Sequence, residues 1–448
     1  MKVLRFRPSA SIFRMHATVF EVKVAVKESN MNRIKLKEQN NETNERQRTA
    51  PRGHQPSRLR RSSRWSTRQR RNAWLMLALA LLGVVAVVIL ANITARLSGP
   101  SNIALPGTTP TISSSPSTTQ LTTTPSIMAI GNFREYRLPQ SDTEMMRPAI
   151  DHEGRIWFGE MGHNALAVFD PRSQTFQQIA VPDGRSGLMG LQVANDDTVW
   201  FVEQYANYIG HYFPANGRFQ TYTLPWLTVP DPSNVGHTLI LPSGPNELAL
   251  DAHGNVWFTV FNADELGRLD PHTGLIQHYP LLAKKSVQTL YPYGITIDAQ
   301  GMVWFTESGN NHIGRLNPAT GDIRFFIPTG PEAQLMEIAS APDGTIWATA
   351  FTPGLLLRLD PRIGGFTSYN APFTGSDKSG LYGLLVTPTG EVWVTISAEN
   401  VIARLDLATN HFVYYSIPTK ASLPLGLVLG GDHTIWFTEV DKIGKLQL

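Results

Sequence analysis

The chain of 448 residues has no cysteine, which excludes a disulfide framework, a zinc–thiolate centre and a cysteine nucleophile. Acid is scarce at one end: residues 1–72 carry 19 Lys and Arg against 5 Glu, leaving 20 basic and 31 acidic residues in the remainder. Those 72 residues also lack apolar periodicity, so they cannot build a core and are expected to form a disordered basic tail. From Ala73 to Ile93 charge is absent altogether. These 21 residues, AWLMLALALLGVVAVVILANI, are long enough as a helix to cross about 30 Å of hydrocarbon.

The apolar run is too long and too far from the start for a cleaved signal peptide, and no small-x-small site follows it. It is expected to be an uncleaved, single-pass anchor. The acid-free run from Arg58 to Arg71 precedes it and only Arg96 follows closely, so the positive-inside rule puts the N-terminus in the cytoplasm and residues after 94 outside. The same run has the charge to meet nucleic-acid phosphates or anionic lipid. As the flank of a membrane span it needs no such partner, and no nucleic acid is expected. Residues 94–130, rich in Ser, Thr and Pro, have too little apolar content to pack and read as an extended stalk.

What is abundant is a repeat. Gly301 to Leu316, GMVWFTESGNNHIGRL, is one of seven related units whose Trp recurs as Trp157, Trp200, Trp257, Trp304, Trp347, Trp393 and Trp436, at intervals of 43, 57, 47, 43, 46 and 43 residues. That spacing predicts an all-β fold, a seven-bladed β-propeller of four-stranded blades over residues 131–448. Within the unit, Tyr293–Asp298 is expected as the inner strand, followed by Met302–Glu307, Ile313–Leu316 and Ile323–Ile327. The last repeat ends at Leu448 without an outer strand, while FREYRLP at residues 133–139 resembles one with no WF strand before it. An N-terminal strand at 132–138 should therefore close the ring, because the last blade would otherwise expose a sheet edge. The VWFTE strand is apolar at consecutive positions, as a strand covered on both faces requires, so the Trp residues are expected between blades.

Strand polarity puts the start of each inner strand and the end of each second strand on one face, here the top. Four second strands end in Glu: Glu160, Glu203, Glu307 and Glu439. Blades seven, one and two are neighbours, so Glu439, Glu160 and Glu203 are candidates to hold Mg²⁺ or Ca²⁺ through oxygen ligands. Equally, each carboxylate is suited to bond backbone N–H groups of the loop that follows. Of the twelve His, only His163, His312 and His237 are placed to reach the top. His237 lies in an insertion, Trp226 to Pro245, whose length suggests a lid or specificity loop.

WFTE followed by NxIGR, the DxxG and P-x-x-G turns, and the terminal WFTEVDKIGKLQL resemble the streptogramin B lyase (virginiamycin B lyase) family over about residues 131–448. The resemblance implies a seven-bladed propeller that opens the antibiotic's lactone ring by elimination, with Mg²⁺ and a His general base. Where the family has Glu-Pro-His-Gly at the start of the last inner strand, this chain has Leu423-Pro424-Leu425-Gly426. Where a further family His begins the preceding inner strand, this chain has Tyr382. Of the family's functional side chains, the metal-associated Glu of the last blade is matched, by Glu439.

Counting back equally from each Trp, the ring at the top of the shaft reads Met146, Met189, Asn246, Tyr293, Met336, Tyr382 and Leu425. None of these is a base near pH 7. The expected function is a membrane-anchored, extracytoplasmic, monomeric propeller whose mouth takes a small molecule, a glycan or a protein. The alternative is a metal-dependent lyase or lactonase using Glu439, Glu160 and Glu203, with Tyr382 or His237 as the proton-transfer group. A sensor with the basic tail as effector ranks below both, since residues 1–72 contain no signalling fold.

Overall fold

Outer strands such as Thr175–Ala180 and Arg218–Thr223 are mostly exposed or half-buried, whereas the second strands are buried at every position from Ile156–Glu160 through Val392–Ile396. That contrast is what a radial stack of twisted sheets demands, with the rim solvated and the middle covered on both faces. A computed structural model of the chain describes residues 119–121, 127–141, 143–182, 187–230, 236–281, 290–330, 333–373 and 379–447. They form seven antiparallel blades and a separate two-stranded ribbon. The anchor expected at 73–93 and the basic tail lie outside the described residues. Among the described residues no helix is long and apolar enough to cross a membrane.

The reference blade runs Pro292–Ile297, Val303–Glu307, His312–Leu316 and Ile323–Phe326, from shaft to rim. Asn132–Arg137 pairs antiparallel with Lys442–Gln447, so the N-terminal strand completes blade seven as expected. The segment expected to be wholly stalk is different. Thr119–Leu121 adds to blade five, parallel to Gly365–Asn370, and Ile127–Ala129 adds to blade six, parallel to His411–Ser416. An outermost strand offers a row of unpaired N–H and C=O groups, and these short Thr- and Ile-containing segments satisfy part of it.

All seven repeat Trp side chains are 0–3% exposed and pack against the next blade, so the reading of these residues as core holds. Replacing one by Ala should cost about 3–5 kcal/mol. Three of them also donate Nε1–H to the Asp that ends their own inner strand: Trp157 to Asp151 at 2.8 Å, Trp257 to Asp251 at 3.0 Å and Trp304 to Asp298 at 2.7 Å. The same Asp caps the turn that follows, so one carboxylate fixes both the turn and the ring.

A second device joins blade to blade. Thr259, Thr306, Thr349 and Thr395, one residue before the end of their strands, each accept an inner-strand N–H of their own blade, from Glu247, Gly294, Glu337 and Gly383. Each hydroxyl then donates to a carbonyl at the start of the next blade's inner segment, at Tyr293, Met336, Tyr382 and Leu425, over 2.6–2.8 Å. Blades three to seven are chained in this way. Blades one and two have Gly159 and Val202 at that position and lack the link.

Because the N-terminal strand is the only rim strand of blade seven, deleting residues 131–139 should open the ring. Its expected signature is a lower melting temperature with a broadened transition by circular dichroism. A sharp, unshifted transition would show that closure lies elsewhere.

Candidate functional site

The inner strands bring the seven ring positions together at the top of the shaft. They form a plug as much as a mouth. Tyr382 is 1% exposed, Met146, Asn246, Tyr293 and Met336 are buried, and only Met189 and Leu425 are half-buried. The Tyr293 and Tyr382 hydroxyls bond each other across the shaft at 2.7 Å, with their rings edge to face. Asn246 Nδ2 donates to the Tyr293 carbonyl at 3.2 Å, and its Oδ1 accepts from Gln204 Nε2 at 3.1 Å. Burial, reinforced by the charge of Glu337, pushes the Tyr293 phenol up to about 12. Tyr382 is driven well above 10 by burial and by its tyrosine neighbour. Such a phenol is a poor base at neutral pH, which removes the physical case for Tyr382 as the proton-transfer group.

One residue deeper lies a feature that counting to the ring alone misses. The residues that follow the ring positions are Arg147, Gly190, Glu247, Gly294, Glu337, Gly383 and Gly426. Arg147, from blade one, forms ion pairs with Glu247 of blade three and Glu337 of blade five. The glycines between them are steric necessities: a Cβ at Gly383 would stand 2.0 Å from the Leu425 carbonyl oxygen, and one at Gly426 would stand 2.7 Å from the Arg147 Cα. Burial disfavours the Arg147 charge, but Glu337 together with Tyr382 and Tyr293 outweighs it and the guanidinium is held charged. Burial also raises the Glu337 carboxyl, against the opposing pull of the Arg147 charge. The available signal was a charged residue in three repeats at a column where four have Gly.

Of the carboxylates expected to share a metal, Glu160 is turned to a partner on its own blade. Glu160 Oε2 accepts from Gln178 Nε2 on the outer strand of its own blade and lies 3.9 Å from His163 Nδ1. His163 in turn donates Nε2–H to the Ser141 carbonyl at 2.9 Å. Glu203 is fully buried at its strand end. Glu307 stands 3.1 Å from His312 Nδ1, and burial raises its carboxyl. Glu439 neighbours Glu135 on the closing strand, with Lys442 Nζ bonded to Glu135 at 3.2 Å. Burial and the Glu135 charge push Glu439 up to about 8. Among the described residues no three His, Asp or Glu side chains stand close enough together to hold a metal ion. Glu439, Glu160 and Glu203 therefore do not fit a shared Mg²⁺ or Ca²⁺ in this arrangement.

The insertion forms a hairpin of its own, Trp226–Pro230 against Thr238–Pro242, with His237 exposed where the second strand begins. Trp226 is half exposed and Ile240 mostly so. Nearby on the top face, Phe261 stacks on Tyr291 at 4.7 Å and meets Tyr293 edge-on at 6.3 Å. No contact ties His237 to the ring of Met and Tyr residues.

Arg147→Met should destabilise the propeller by about 3–5 kcal/mol in urea unfolding, since it leaves Glu247 and Glu337 buried without a cation. Adding Glu247→Gln and Glu337→Gln should recover much of the loss, and equal stability of Arg147→Met and wild type would show the bridge to be idle. The raised Glu439 carboxyl gives a pH signature. Its folded form holds a proton that the unfolded chain releases above about 4.5, so stability is full below that pH and is lost progressively up to about 8. In Glu439→Gln the fall in melting temperature between pH 5 and 8 should be smaller, as followed by calorimetry.

Residues 238–448 match the sequence model described as the virginiamycin B lyase family. Among solved structures, streptogramin B lyase is similar at 28% identity and a TM-score of 0.62, covering 71% of this chain and 98% of its own. A catalytically inactive His-to-Ala variant of virginiamycin B lyase from Staphylococcus aureus, with quinupristin, matches at the same identity and TM-score over 71% and 99% of the two chains. The extracellular domain of a putative hybrid two-component system from B. thetaiotaomicron shares the fold alone, at 16% identity and a TM-score of 0.54, over 70% of this chain and 42% of its own. No curated protein matches the sequence. The propeller of this chain is similar to the virginiamycin B lyase family, residues 238–448 matching its sequence model and the ring of seven blades its fold.

Proposed function

We propose that the chain is a membrane-anchored, extracytoplasmic propeller of the streptogramin-lyase type that acts as a binding module and not as a lyase. The observation that carries this reading is the top of the shaft. At Leu423-Pro424-Leu425-Gly426 two Leu residues stand where the resemblance places a Glu and the His base, and Tyr382 stands where it places a second His. Elimination begins by removing a proton beside the ester carbonyl, which needs a base that titrates near neutrality and faces the substrate. The side chains that occupy these positions are apolar or a buried, hydroxyl-bonded phenol. A single His-to-Ala change is named as inactivating in the lyase crystallised with quinupristin.

The anchor rests on the uncharged run Ala73–Ile93 and its basic flank. The binding surface is the top face around the ring, where Phe261, Tyr291 and the half-exposed Trp226 of the hairpin offer aromatic contact to a small molecule, a glycan or a protein.

The test is incubation of the purified full chain with a streptogramin B antibiotic and Mg²⁺, followed by mass spectrometry, which separates the cyclic from the linear form by chromatography. No ring opening is expected. Mg²⁺-dependent opening that disappears in Glu439→Ala would replace the binding reading with the enzymatic one.

A further inference from the structure

The third strand of five blades lays a long cation against the blade's own Trp. Arg268, Arg315, Arg358, Arg404 and Lys445 stand 5.3–5.7 Å from the ring centroids of Trp257, Trp304, Trp347, Trp393 and Trp436. In three of these blades the cation continues to an acid in the turn before the Trp. Arg358 donates to Asp343 at 2.8 Å, Arg404 to Glu391 at 2.8 Å and Lys445 to Asp432 at 3.1 Å.

Blade two keeps the acid and lacks the cation. Asp196 stands four residues before Trp200, as Asp343 and Asp432 stand before Trp347 and Trp436. Its Oδ1 accepts from the backbone N–H and hydroxyl of Thr198, just as Asp343 Oδ1 accepts from Thr345. Opposite Trp200, however, the strand register places His211, stacked on the indole at 3.6 Å and 16°. The imidazole is too short to carry a charge to Asp196, and burial lowers its pKa to about 4, so it is neutral. His211 is only 8% exposed, yet its Nε2 has no hydrogen-bond partner among the described residues.

A cavity of about 910 Å³ passes these groups, with Asp196, Trp200, His211 and Tyr222 on its blade-two wall and Asp251 on the blade-three side. Its deep end reaches Arg147, Glu247 and Glu337, where acid again exceeds cation. Arg218, the nearby cation of blade two, lies over Phe213 at 4.0 Å and bonds Gln220 at 3.4 Å.

We propose that the crevice between blades two and three binds an organic cation, a guanidinium or primary ammonium group, which pairs with Asp196 beside the stacked Trp200 and His211 rings. The ligand replaces the side chain that other blades supply from their own third strand. Small size and neutrality at His211 leave both the room and the unmatched acid. The site faces the end of the shaft opposite the ring of Met and Tyr residues and does not depend on what the top face binds.

Calorimetric titration of the detergent-solubilised full chain with agmatine, and separately with the peptide acetyl-Gly-Arg-Gly-amide, tests this. Agmatine should bind saturably, about tenfold or more weaker in Asp196→Asn. His211→Arg, the solution used by the other blades, should abolish binding while melting no lower than wild type. Binding of the peptide without agmatine supports the same site with the cation carried by a partner chain. The proposal fails if neither probe binds wild type, or if both variants bind as wild type does.

Discussion

No blade of this propeller can be buried without its neighbours. The second strands are apolar on both faces, and a lone four-stranded sheet would leave one face of each Trp in water. Packing blade on blade removes that surface only if the series has no end, so ring closure is a condition of stability and not an ornament. The antiparallel pairing of Asn132–Arg137 with Lys442–Gln447 meets it using the two ends of the domain. The hydroxyl links of Thr259, Thr306, Thr349 and Thr395 then set the distance between successive inner strands, and with it the width of the shaft.

Where the Thr link is missing, other interactions take over. Blades one and two lack it, and Arg147 of blade one reaches across to Glu247 and Glu337. The charges sit beneath the Tyr293–Tyr382 hydroxyl pair, whose proton is held more tightly by burial and by the nearby Glu337. The shaft is therefore filled at the level of the Met and Tyr ring. Its open cavity lies on the other side of that layer, towards blades two and three.

Exceptions to the repeat carry most of the individuality of the molecule. His211 stands in a column that holds Arg or Lys in five blades and Val168 in blade one, the acids at Glu247 and Glu337 depart from a column of Gly, and the Trp226–Pro242 hairpin lengthens one interval. Each departure sits where scaffold chemistry is relaxed, and each changes charge or shape at a surface or cavity. The conserved-looking sentence around Trp304, by contrast, is almost entirely scaffold: Glu307 and His312 pair with each other beside their own blade.

The order of strands, the seven blades, the closing strand and the interior place of every repeat Trp are all legible in the sequence, because each follows from period, polarity and hydrophobic pattern along a single chain. The sequence could not show that Arg147 meets residues 100 and 190 positions away, or that Glu160 turns to Gln178 while Glu439 meets Glu135. Nor could it show that Thr119–Leu121 and Ile127–Ala129 pair with blades five and six. Those partners are fixed by which side chains face one another across a closed ring. That is a property of three-dimensional closure, which no local pattern encodes.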